Sequence, residues 1–151
     1  MLGNLSIEQI DALLKNETVG RIGFIAGAKV SVVPIAYAYQ DGYIYGRSHE
    51  GQKITAMRKD PNVCFEVDTM TTLTNWKSVI LWGTFEEMKT PEETTHVMKV
   101  LADRITPLLQ SETMRPAQRL PEPHPHNAGV KAIAFRIKVQ EKSGKYESSF
   151  W

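Results

Sequence analysis

The stretch Lys29-Val30-Ser31-Val32-Val33-Pro34-Ile35-Ala36-Tyr37-Ala38-Tyr39-Gln40-Asp41-Gly42-Tyr43-Ile44-Tyr45-Gly46 decides the fold. β-Branched and aromatic residues crowd its first part, which predicts a strand over Lys29 to Gln40. Asp41-Gly42 is a strong two-residue hairpin signal, because such a turn needs positive φ at both central positions. Tyr43 to Gly46 then returns as the next strand. Upstream, Gly20 to Ala26 is apolar and ends at Gly27, so another strand precedes. Strands joined by turns this short are antiparallel. There is no room between them for crossover helices, which argues against a doubly wound parallel sheet.

Working outward, residues 1–18 hold a first helix. Ser6 and Gln9 form a capping-box pair, and Ile7, Ile10, Leu13 and Leu14 follow with helical spacing to an end near Asn16. A short helix is expected over Gly51 to Lys59, stopped by Asp60-Pro61. Asn62 to Asp68 alternates Val63, Phe65 and Val67 on one side, and Lys77 to Met88 reads as a further strand. Thr90, Pro91 and Glu93 then open a second long helix with an apolar stripe at Val97, Leu101, Ile105 and Leu108. Residues 111–129 carry Pro116, Pro121, Pro123 and Pro125 and read as a Pro/His-rich loop. Val130 to Val139 is the last expected strand, with Gly144 breaking the tail. The sum is a mainly β, antiparallel, six-stranded domain over residues 1–151, with two or three peripheral helices. A sheet of that size must deal with its edges, and closing into a barrel is one way.

Composition bounds the function. Lys plus Arg number 18 and Asp plus Glu 17, so the net charge of +1 gives no basic field for general nucleic-acid binding. Cys64 is the one cysteine, so no intrachain disulfide forms, in keeping with a reducing compartment. Met1-Leu2-Gly3-Asn4 lacks the basic and apolar regions of a signal peptide. No apolar run approaches the roughly 20 residues needed to span a bilayer. The expectation is a cytoplasmic chain with no membrane and no nucleic-acid partner.

The chemistry concentrates in Tyr45-Gly46-Arg47-Ser48-His49-Glu50-Gly51-Gln52-Lys53. A strand ends, a short polar loop follows and a helix begins. A helix N-terminus offers free N–H groups and partial positive charge. Ser48 adds a hydroxyl, and Arg47 and Lys53 add cationic donors suited to phosphate. Gly46 and Gly51 would let backbone approach a ligand. The local pattern leaves two readings open: a phosphate cradle, or Ser48 as a simple helix cap beside a solvated Lys53. Pro34 is the second oddity, since proline removes a ladder donor and belongs at an edge, a bulge or a ligand-facing break.

These stretches resemble the pyridoxamine-5′-phosphate-oxidase-like FMN-binding split-barrel superfamily. The likeness is carried by Gly20-Arg21-Ile22-Gly23, Val32-Val33-Pro34-Ile35, Asp41-Gly42-Tyr43-Ile44-Tyr45, and Ser48-His49-Glu50-Gly51-Gln52-Lys53-Ile54. It continues through Arg58-Lys59-Asp60-Pro61-Asn62-Val63-Cys64-Phe65-Glu66-Val67, Trp76-Lys77-Ser78-Val79, Gly83-Thr84 and Phe135-Arg136-Ile137. Within the superfamily it is most similar to the branch of the 5-nitroimidazole-resistance (Nim) proteins. The resemblance implies an FMN-binding split barrel working as a homodimer with the cofactor at the subunit interface. It implies that Val32, Val33, Pro34 and Ile35 line the flavin ring and that Gly46, Arg47 and Ser48 sit by the ribityl chain and phosphate. Gln52 and Lys53 align with the basic pair that holds the phosphate. Gln52 stands where the oxidases have arginine, so Lys53 and Arg47 must supply the charge. Trp76, Lys77 and Ser78 would reach the cofactor, often from the other subunit. The oxidases' C-terminal Trp and Arg have no match, and Trp151 is wrongly spaced, which points away from oxidation of pyridoxamine phosphate itself.

The implied activity is a flavin-dependent oxidoreductase acting on a small planar substrate, with a nitroaromatic as one candidate. The alternative is a non-catalytic flavin or haem binder or sensor. FAD or a deazaflavin coenzyme are the alternatives to FMN. No catalytic side chain is singled out, since the cofactor carries the redox chemistry. His49 either donates to the phosphate or is a surface histidine near a cap. His124 and His126 can bind metal on an extended chain, but nothing adjacent completes a site, so a polar loop is preferred and no metal is assigned. Cys64 reads as a buried packing residue. Trp82 and Phe85 read as core or dimer-interface anchors. There is no P-loop, nucleophile elbow or GxGxxG.

Overall fold

A computed structural model describes residues 1–109 and 131–149. In chain order they form β1 (Leu2–Asn4), α1 (Ile7–Asn16), β2 (Val19–Ala26), β3 (Lys29–Ala36), β4 (Ala38–Gln40) and β5 (Tyr43–His49). There follow α2 (Gln52–Lys59), β6 (Asn62–Thr72), β7 (Asn75–Glu87), α3 (Pro91–Leu109) and β8 (Ala132–Glu147). All pairings are antiparallel, in the order β3-β2-β6-β7-β8-β5-β4, with β1 added on β8.

The run from Lys29 to Gln40 is two strands and not one. It breaks at Tyr37, which leaves the ladder and turns inward until it is fully buried. Its hydroxyl donates to the Leu14 carbonyl at 2.7 Å, one of the last carbonyls of α1, which have no partner within the helix. Its ring meets Phe65 edge-on at 5.0 Å. Burial pushes the Tyr37 phenol well above its ordinary range. The break has a topological consequence. β3 and β4 are contiguous in the chain yet end opposite sides of the strand path. The sheet must therefore curl until its ends meet at Tyr37, which makes it a split barrel.

Side chains of alternate residues fill that barrel. Ile22, Phe65, Val67, Leu81, Ile44 and Ile137 are fully buried. Helix α1 seals one end with Ile10, Leu13 and Leu14, below the capping box at Ser6 and Gln9 that the sequence announces. Each such side chain contributes about 1.5–3 kcal/mol when fully buried. Lys142 pins the same helix, reaching the Asp11 carboxylate at 2.8 Å, and the Tyr39 hydroxyl donates to that carboxylate at 3.0 Å. Helix α3 covers the outer face of β4, β5 and β8 through Val97 and Leu101, packed on Ala38, Tyr45 and Ala134. Of the expected stripe on α3, Ile105 is half-buried and Leu108 is exposed.

Among the described residues the outer face of β3-β2-β6-β7 has no such cover. Val30 is 80% exposed, Val32 64% and Trp82 41%, and Ile25, Met70 and Ile80 accompany them. Of the two readings given for Phe85 and Trp82, Phe85 takes the core one, and Trp82 stands exposed on the outer face. Cys64 shares this outer face and is only partly buried, because the strand period sends Val63, Phe65 and Val67 inward instead.

Among the described residues eight strands stand where six were expected. The extra two are the divided second strand and β1, three residues whose pattern carries no period. Gly144 does not break the tail. β8 runs through it, because Leu5 and Ile10 occupy the space a side chain would take there, and the Leu5 amide donates to its carbonyl at 2.9 Å. Among the described residues no helix is long and apolar enough to cross a membrane. The Pro/His-rich loop at 111–129, with His124 and His126, lies outside the described residues, as does Trp151.

Candidate functional site

The Asp41-Gly42 hairpin forms as expected, with φ of 54° and 79° at the two residues. Strand β5 then runs further than the sequence suggested. Its pairing with β8 continues through Ser48↔Ile133 and His49↔Ala132, so Arg47, Ser48 and His49 are strand and not loop. Strand alternation separates them. Gly46 and Ser48 share the barrel-facing side with Ile44, whereas Arg47 and His49 lie on the outer side with Tyr45. Ser48 does not cap α2; its hydroxyl donates to the His49 carbonyl at 3.4 Å. Gly46 does not leave open space either. A Cβ there would lie 2.7 Å from the Phe135 ring and 3.4 Å from Ile35, so its missing side chain admits packing. The same contact shows that β3 and β5 approach each other across the split.

The N-cap of α2 is Gly51. It has no side chain to offer the helix, no acidic residue occupies the first turn, and a Cβ at Gly51 would meet only the His49 carbonyl, at 3.9 Å. The first turn of α2 opens on a shallow depression bounded by Gly51, Gln52, Thr55 and the β2–β3 turn at Ala26 and Gly27. Lys53 follows, half-buried, and burial pulls its ammonium below the ordinary amine range. Among the described residues the other partly buried cations, Arg104, Arg136 and Lys142, all have hydrogen-bond or ion-pair partners. Lys53 has none among the described residues.

Pro34 sits on β3, the end strand of the path, opposite Arg21. A missing donor is tolerated at such an edge. Val32 and Pro34 face outward, and Val33 and Ile35 face the core. The fold thus gathers β3, the end of β5 and the start of α2 around the split. It does not bring Trp76, Lys77 and Ser78 there. They lie on β7, with β2 and β6 intervening, about 14 Å from β3 at three inter-strand steps. Trp76 donates its indole N–H to Glu147 at 3.1 Å.

Two charged groupings went unseen in the sequence. On the outer face Arg21 bridges Asp68 at 3.0 Å and Glu66 at 3.5 Å, and the Ser78 hydroxyl donates to Glu66 at 3.4 Å. Burial and the adjacent Asp68 push Glu66 up to about 7. At the mouth of α2, Arg58 forks onto both oxygens of Glu50 and also reaches Glu87. Alternation marks Glu66 and Asp68 as outward, but Arg21 and Glu87 are too far away in sequence to be named as partners.

The model of the family described as pyridoxamine 5′-phosphate oxidase matches residues 6–145. The chain belongs to that family. Among solved structures, it is similar to a FAD-binding protein from Mesorhizobium loti, 27% identical over 98% of this chain and 99% of that one, with a TM-score of 0.78. A candidate 5-nitroimidazole antibiotic resistance protein from Bacteroides thetaiotaomicron is 17% identical over 97% of this chain and 87% of that one, with a TM-score of 0.72. A FAD-binding protein from Mycobacterium smegmatis is 20% identical over 97% and 100%, with a TM-score of 0.68. The last two speak for the fold alone. Membership of the pyridoxamine 5′-phosphate oxidase family agrees with the antiparallel split barrel and with the resemblance read from the sequence.

Proposed function

We propose that this chain binds a flavin by its phosphate at the mouth of α2 and serves as a flavin-dependent oxidoreductase for a small planar substrate. The carrying observation is Lys53, a half-buried cation with no partner among the described residues, beside an N-terminus without a side-chain cap. A cation partly withdrawn from water and without a partner is disfavoured, and a bound phosphate would offset that. Lys53 and the α2 amides would take the phosphate, with Gln52 and Ser48 as neutral donors. The backbone of Val32 to Ile35 would lie along the ring. Arg47 and His49, on the outer side of β5, contribute from the rim. The flavin supplies the electron transfer, and the protein supplies binding, orientation and a dry surface. FMN and FAD share the phosphate chemistry, and the FAD-binding relative supports keeping both.

Purified protein is expected to be yellow, or to become so with FMN or FAD; no flavin absorbance in either case removes the proposal. The released cofactor identifies the flavin. Lys53→Ala should weaken flavin binding by about 1.5–3 kcal/mol, the scale of a charged hydrogen bond. Equal affinity in wild type and variant, read by fluorescence titration, would place the phosphate elsewhere. Reduction of the bound flavin by NADH or NADPH and reoxidation by a nitroaromatic separates an oxidoreductase from a carrier.

The same reading includes a homodimer. The apolar face of β3-β2-β6-β7, uncovered among the described residues, supports it, since patches of that kind mark interfaces. So does the position of Trp76 to Ser78, three strands from β3, which suits contact with the flavin of another copy. Light scattering should give the mass of two chains; a monomer at micromolar concentration excludes a shared site.

A further inference from the structure

Glu50 stands immediately before the Gly51 N-cap, where a free carboxylate would be drawn to the α2 amides and would oppose an incoming phosphate. The structure holds it elsewhere. Arg58, in the last turn of the same helix, takes both Glu50 oxygens in a forked contact, the second bond at 2.9 Å, and its Nε binds Glu87 at the end of β7. The Glu50 amide donates to the Lys131 carbonyl at 3.0 Å, which fixes the backbone from the β8 side. The Arg58 pairing holds the Glu50 carboxyl below its usual range, so the side chain stays ionised and its charge must be dealt with.

We infer that Arg58 is a charge-shielding residue for the proposed flavin phosphate. By clamping Glu50 back along α2 it keeps the helix amides free and cancels a negative charge at the mouth of the site. Three of the five N–H donors of Arg58 are held by the two carboxylates, so its part is to hold Glu50 and not to ligate the phosphate. This rests on the flavin reading above and gives it an internal control, since riboflavin has the same ring and no phosphate.

Arg58→Gln should weaken FMN binding about tenfold and leave riboflavin binding unchanged, because only the phosphate meets the released carboxylate. Glu50→Gln alone breaks the same clamp but removes the charge, so FMN affinity should equal or exceed that of wild type. The double variant E50Q/R58Q should regain wild-type affinity within about threefold. If the clamp were merely structural, Glu50→Gln would weaken FMN, and the double variant would be no better than Arg58→Gln. Either result overturns the inference, as does equal weakening of FMN and riboflavin by Arg58→Gln or unchanged FMN affinity in that variant. Wild-type protein that binds neither FMN nor riboflavin overturns the flavin reading and this inference together. Thermal melting of each variant confirms that folded protein is being titrated.

Discussion

Gly83→Ala is expected to lower folding stability by about 4 kcal/mol, near the top of what a single substitution does. A Cβ at Gly83 would lie 2.2 Å from the Lys138 carbonyl oxygen and 2.9 Å from Ile137. The first obstacle is backbone, so no rotamer change relieves it. The cause is a bulge. Gly83 pairs with Val139 and Trp82 with Glu141, which leaves Gln140 without a partner in the ladder. The bulge bends β8 against β7, and bulges are a usual device for curling a sheet. Alanine can be accommodated only by prising apart the pair of strands at the centre of the path. Urea unfolding of wild type and variant measures the cost. A loss under about 1 kcal/mol, the centre of the range for ordinary substitutions, would mean that β7 and β8 do not approach as described.

Gly83 also shows where sequence reading succeeds and where it stops. It belongs to the stretches that carry the family likeness, but nothing local says why glycine stands there. The reason is a carbonyl 55 positions away. The Asp41-Gly42 turn was readable because its physics is contained in two residues. So were the Ser6 box and the Thr90 cap, where the Glu93 amide meets the Thr90 hydroxyl at 3.2 Å. The break at Tyr37 was not readable, since strand propensity runs straight through Ala36-Tyr37-Ala38, and burial against Leu14 and Phe65 overrides it. The extent of β5 is illegible for a like reason: Arg47-Ser48-His49 looks like loop until β8 supplies its pairing. That matters for the site. Read as a loop, Arg47 and Ser48 both face a ligand; as strand, they part to opposite faces. Lys53 is legible by position, but its distinction, partial burial with no partner among the described residues, is a property of the folded chain.

The outer-face carboxylates should make stability depend on pH in a direction opposite to that of an ordinary ion-paired acid. Glu66 and Asp68 are two residues apart on one strand, point the same way and share one guanidinium, that of Arg21. Removal from water comes first, and repulsion from Asp68 adds to it, so Glu66 holds its proton up to about 7 against an ordinary value of 4.5. Below the ordinary value both the folded and the unfolded chain are protonated, and Glu66 costs nothing. As pH rises, the unfolded chain releases the proton first and the folded chain keeps it. Folding is then linked to proton uptake, and stability falls until the folded group also ionises. The window therefore runs from about 4.5 to about 7, with the full cost present above it. A displacement of that size is worth on the order of 3 kcal/mol. Glu66→Gln abolishes the titration while Arg21 keeps Asp68. The variant should gain little at pH 4.5 and melt clearly above wild type at pH 8, both proteins being compared at one concentration so that self-association is equal. A stability difference that stays constant from pH 4.5 to 8 would show that Glu66 ionises normally. The apolar outer face would then carry an ordinary charged cluster, and covering that face would demand desolvation of two full negative charges against one positive. With the proton retained, the same three groups sum to zero, and an apolar partner surface can close over them at much lower cost.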